Sequence, residues 1–161
     1  MNDFWTMGIV RVIHTLSVLL WIGGVAFVTI VLLPSLKKKN DAELALALFG
    51  ELEHRFAWQA RFTTFLAGAS GVYLLYALDG WSRYLELRFW WIHLMTLVWL
   101  LFSLVLYVLE PLWLHNWFSR QAAHDAERIF SLIHRMHALL LSLSLLAFAG
   151  AVAGSHGHYL F

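Results

Sequence analysis

Residues 4–33 read FWTMGIVRVIHTLSVLLWIGGVAFVTIVLL, and the reading of this stretch decides the fold. A helix needs about 20 apolar residues to cross ~30 Å of hydrocarbon. This run is longer than that, and Arg11 is its one formal charge. Its end, Pro34-Ser35-Leu36-Lys37-Lys38-Lys39, is not a small-residue cleavage site, so it reads as a retained helix rather than a leader. His14 lies well inside it. An ionisable side chain in hydrocarbon is costly and is by default a functional-site candidate.

Working outward, residues 56–78, 89–109 and 129–153 form three further runs of spanning length. The chain has 161 residues, is 61% hydrophobic and 13% charged, and has a mean hydropathy of +0.70. These values place it in the membrane class, with lipid as its principal surroundings. A net charge of +1 leaves no broad basic footprint for nucleic acid. The absence of cysteine excludes disulfides, thiolate metal sites and iron–sulfur clusters, and leaves His, Met and carboxylates as metal ligands. No Ser/His/Asp or paired-carboxylate pattern points to a hydrolase.

The expected fold is a single all-α domain over 1–161: an up-down-up-down four-helix transmembrane bundle. Pro34 is expected to stop the first helix, Asp79-Gly80 the second, and Glu110-Pro111 the third. Between the first two spans, residues 41–55 alternate Leu44, Leu48, Phe49 and Leu52 with Glu43, Glu51 and Glu53. That pattern predicts an amphipathic helix, either interfacial or an extension of the second span, with Asp41 as its N-cap. Gly23, Gly24, Ala67, Gly68 and Gly71 permit close helix approach or leave room for a flat cofactor, and packing is the stronger reading. Trp5, Trp81, Tyr84, Trp113, Trp117 and Tyr159 suit interfacial belts. Lys37, Lys38, Lys39, Arg55, Arg61, Arg120, Arg128 and Arg135 outnumber Arg11, Arg83 and Arg88, which puts the first and third connections inside and both termini outside.

Depth sorts the histidines. His14 lies ~13–15 Å from the start of the first helix, and His93 a few residues into the third, counted from the same outer face. His54, His134 and His137 lie toward the inner face. Imidazoles facing one another from two helices are what bis-His haem ligation requires. An outer haem b on His14 and His93 is therefore expected, and an inner one on His54 with His137 or His134. Arg11 and Arg88 outside, and Arg55, Arg61 and Arg135 inside, are candidate propionate partners. His115, His124, His156 and His158 read as solvated, although the spacing of His124 and His137 matches that of two-haem b-type bundles. Met95 and Met136 read as core or lipid-facing.

The run from Ile13 to Gly24, with His14, Trp21, Gly23 and Gly24, followed by Phe27 and Pro34, resembles the first helix of the copper-resistance-D-like superfamily. That group includes the bacterial membrane protoporphyrinogen oxidases. Arg61-Phe62 with Ala67 to Gly71 resembles its second helix. The resemblance implies a multi-pass protein of the bacterial inner membrane, with His14 tied to haem or metal handling. Many members carry Lys in the third helix where this chain has His93, an exchange that replaces a point charge with an iron ligand. The expected function is a membrane b-type cytochrome, an oxidoreductase or electron conduit. Quinol, superoxide or a redox protein would be its electron partner, and a homodimer is compatible with its apolar faces. Porphyrinogen oxidation and copper permeation are the alternatives.

Overall fold

The structure, a computed structural model, describes residues 2–38, 42–114 and 125–157, without the side chains at 2, 3, 42, 43, 54, 113 and 114. The expected Asp41 cap, Lys39, the polar stretch 115–124, His158 and Tyr159 lie outside the described residues, as do the side chains of His54 and Trp113. Among the described residues the chain is helical throughout, with no strand. Three segments are long and apolar enough to cross a membrane: Phe4–Lys37, Leu87–Leu112 and Ala126–Ser155.

Helix α1 covers Asn2–Phe27 and runs through a widened π turn, Val28–Leu32, into α2, Leu33–Lys37. Pro34 was expected to end this helix, and instead lies inside it. The π turn explains this, because Leu33 N–H already reaches back five residues to Val28. Proline removes a donor and crowds the preceding turn of a regular helix, and both effects are relieved where the helix is wide. The same correction applies to Glu110-Pro111. Helix α4, Trp90–Leu104, continues through a π segment, Val105–Leu114, that carries Pro111 within it.

Residues 42–55 are not a separate interfacial element but the first part of one 36-residue helix, α3, Ala42–Ala77. Asp79, in the left-handed region at φ 49°, turns the chain out of α3. Short 3₁₀ turns, Gly80–Leu85 and Leu87–Phe89, then lead into α4. Helix α5, Ala126–Ser155, begins at Asp125, whose side chain accepts a hydrogen bond from Arg128 N–H at 2.9 Å.

Helices α1 and α3 pack along their length, and so do α4 and α5. Close contacts fix the directions. His14 and Gly24 of α1 meet Gly71 and Phe56 of α3, so the two helices are antiparallel. Trp99 of α4 lies on Gly68 of α3, while Arg61 of α3 reaches Leu106, so these two are also antiparallel. Trp91 of α4 covers Gly154 of α5, and Phe102 clusters with Leu141. Glycine is required at these close approaches: a β-carbon at Gly150 would stand 2.6 Å from the Trp90 ring.

Two buried clusters hold the helices together. One joins Trp21, Val25, Ala67, Val98, Phe102 and Leu141. The other joins Val28, Leu33, Leu36, Ala45, Phe49, Ile129, Phe130 and Ile133. On the opposite faces, Leu16, Leu19 and Leu20 of α1, Ile30 of the π turn, and Trp58, Phe62, Phe65, Val72 and Tyr76 of α3 are exposed apolar residues. Apolar surface on this scale suits lipid as the surrounding medium.

Candidate functional site

His14 projects from α1 against α3, where its Nδ1 lies 3.0 Å from the Ala67 carbonyl oxygen and 3.0 Å from Ser70 Oγ. A carbonyl can only accept, so Nδ1 carries the proton and Nε2 keeps its lone pair. Ser70 in turn donates to the Leu66 carbonyl. This orients the imidazole as metal-ligating histidines are oriented, with the non-ligating N–H given to a backbone carbonyl. Gly71 makes room for the ring, since a β-carbon there would stand 3.2 Å from His14 Cε1.

His93 lies near the start of α4, with its ring edge-on to Tyr84 at 5.3 Å between centroids. Tyr84 is itself held to Thr96 at 2.6 Å. The Nε2 of His93 is buried and has no hydrogen-bond partner among the described residues. A buried polar atom left unpaired is costly and calls for an explanation.

Helices α1 and α4 run in the same direction, each being antiparallel to α3. They meet where Trp21 and Phe102 pack edge to face, 4.9 Å between centroids. Counting back from that contact at ~1.5 Å per residue, His14 lies ~10 Å above it and His93 ~13 Å above it. The two imidazoles thus stand on separate helices at nearly one depth.

The histidines toward the Lys37 end of the helices have different surroundings. His137 donates from Nδ1 to Ile133 O of its own helix at 2.9 Å, and meets Phe49 edge to face. It lines a cavity of about 110 Å³ whose other walls include Glu53, Phe56, Phe102, Glu110 and Met136. His134 does not line this cavity, and the His54 side chain is outside the described residues.

Glu53, expected on the solvated side of an amphipathic helix, instead faces this cavity. Burial, reinforced by the charge of Glu110, pushes its carboxyl up to about 7. Glu110, expected to act as a helix terminator, forms an ion pair with Arg61. The Arg61 guanidinium also donates from Nε to Leu106 O at 3.0 Å. Arg61, a sequence candidate for a propionate, is therefore already engaged. Arg88 pairs with Glu86 and lies over the Phe89 ring, 4.9 Å from its centroid. Arg11, Arg55 and Arg135 are exposed.

Sequence reading missed both carboxylates of the cavity. One signal was available: an acid at the end of one apolar run matched by Arg61 inside another. Among the described residues, no group of three or more His, Asp or Glu side chains converges on a metal-sized site. No protein-family model, curated protein or solved structure matches this chain significantly.

Proposed function

We propose that this chain is a four-helix, up-down-up-down membrane protein that holds one haem b between His14 and His93 and carries electrons. The antiparallel contacts among α1, α3, α4 and α5 support the bundle. The exposed stripe Trp58, Phe62, Phe65, Val72 and Tyr76 supports a spanning role for α3, although its Gln59, Arg61, Thr63 and Thr64 make it the most polar of the four. Lys37 and Lys38 mark the inner, cytoplasmic end.

The observation that carries the haem reading is the complementary state of the two imidazoles. His14 has committed Nδ1 to Ala67 and keeps Nε2 for a ligand, while His93 has a buried Nε2 without a partner. Iron between them would satisfy both nitrogens. Haem b, when bound, supplies one-electron cycling between ferric and ferrous iron. The protein's own residues do the rest. Ala67 and Ser70 fix the His14 ring, Tyr84 braces His93, and the Trp21–Phe102 pair closes the apolar floor below them. Arg11, one turn above His14 and exposed, is available to a propionate.

In this reading the inner histidines carry no second haem, because the cavity beside His137, about 110 Å³, has room for a single small ring. His137 and Met136 there belong to a different kind of site.

The test is a visible spectrum with haem quantitation on purified protein from haem-replete cells. The expected result is one haem per chain with sharp low-spin bands, lost in both His14→Ala and His93→Ala. A colourless wild-type protein overturns the reading. Stoichiometric copper without haem bands would establish the permease alternative in its place.

A further inference from the structure

A partly open cavity toward the Lys37 end of the helices is lined by α1, α3, α4, α5 and the two π segments, and its residues come from both buried clusters. Its volume of about 110 Å³ is below the ~150 Å³ of a dry apolar cavity that accepts benzene, so it admits at most one small, unsubstituted ring. Its walls are mainly aliphatic, with the aromatic rings of Phe49, Phe56 and Phe102 among them. Above about pH 7, where Glu53 is ionised, the polar atoms it presents are all acceptors. His137 has given its Nδ1 proton to Ile133 O, which leaves Nε2 with a lone pair. Glu110 is a carboxylate held by Arg61, and Glu53 is a second carboxyl group. An occupant must therefore bring apolar faces and its own donors.

We propose that this cavity binds the ring of a hydroquinone, with its hydroxyl groups donating to His137 Nε2 and to the Glu53 carboxyl. A metal ion is a poor alternative, because the described residues offer no cluster of three ligating groups. A cationic amine is disfavoured because Arg61 already neutralises one of the two carboxylates. Binding stands on the cavity alone, whereas use of the bound ring as an electron source rests on the haem reading above.

The probe is unsubstituted hydroquinone under nitrogen at pH 8, measured by equilibrium dialysis against the purified full chain, with haem content determined on the same sample. Saturable binding of one ring per chain is expected. Benzoquinone, which lacks the hydroxyl donors, should bind at least ten-fold more weakly. His137→Leu should weaken hydroquinone binding about ten-fold, and Ala60→Leu, which fills the cavity without touching a polar group, should abolish it. Circular dichroism confirms that each variant is folded. No saturable binding, equal affinity for the oxidised ring, tighter binding of benzylamine, or indifference to both substitutions overturns the proposal. Binding in a haem-free preparation upholds this site and removes the cytochrome reading. Haem without ring binding does the reverse.

Discussion

Trp99 offers a sharp test of how tightly these helices are packed. A β-carbon at Gly68 would stand 2.6 Å from Trp99 Nε1, against an ordinary contact of ~3.5–4.0 Å. In Gly68→Ala the indole must retreat by about 1 Å to relieve that overlap. Its hydrogen bond to Thr64 O, now 2.9 Å, then stretches beyond bonding distance. Overpacking costs roughly 1–3 kcal/mol, and the stranded N–H adds about 1–3 kcal/mol. Replacing a mid-helix glycine by alanine returns ~1 kcal/mol. The expected net loss is therefore about 1–5 kcal/mol. Gly23→Ala is the control, because a β-carbon there meets nothing within 4 Å. It should be neutral or gain up to ~1 kcal/mol. Thermal unfolding of both variants in one detergent, followed by circular dichroism, gives the comparison. If Gly68→Ala melts at or above Gly23→Ala, the packing of α3 against α4 described above is wrong.

Two further substitutions probe the acidic cavity. The Glu53 carboxyl rises from 4.5 to about 7 on folding, so the native state holds a proton that the unfolded chain releases earlier. Wild-type stability should fall as pH rises from 4.5 to 7, by up to ~3 kcal/mol. Glu53→Gln should remove that slope, matching wild type near pH 4.5 and exceeding it above pH 7; parallel pH profiles would contradict this. Arg61→Gln strands the Glu110 carboxylate, whose side chain and partner retain 25% and 29% exposure. That partial exposure sets the cost at roughly 1–3 kcal/mol, below the value for a fully buried pair. Arg61→Gln/Glu110→Gln should recover part of the loss, and a double variant worse than the sum of the singles would refute the pairing.

Much of the architecture was legible because hydropathy over a span-length window is a strong signal. The runs around His14, His93 and His137 all fall on long helices. The prolines misled because the rule that proline stops a helix assumes regular α geometry. Pro34 and Pro111 both lie in or just after widened turns, and nothing local in the sequence announces a π turn. Glu53 and Glu110 misled for a different reason. In one dimension each looks like a surface or terminal acid, and only the approach of α3, α4 and α5 encloses them. Gly150 and Gly154 were legible in principle, being small residues one turn apart, yet their partners Trp90 and Trp91 are distant in sequence. The packing role of Gly24, Gly68 and Gly71 was anticipated, and each is filled by a ring: Phe56, Trp99 and His14 respectively.

The two histidines with assigned protons differ in a way that bears on both proposals. Both His14 and His137 give the Nδ1 proton to a backbone carbonyl. For His14 that carbonyl belongs to a different helix, so the imidazole is anchored at both ends and cannot swing without parting α1 from α3. An axial ligand needs that rigidity, because displacement of the nitrogen by a fraction of an ångström weakens the bond to the metal. For His137 the acceptor is one turn back on its own helix, so the ring moves with α5 and the cavity wall can adjust to what enters. Phe102, which packs on Trp21, also lines the cavity beside His137. It stands nine residues beyond His93, ~13 Å along α4. A ring in the cavity and a haem between His14 and His93 would thus be separated by little more than the Trp21–Phe102 pair, which connects the two proposals physically while leaving each separately testable.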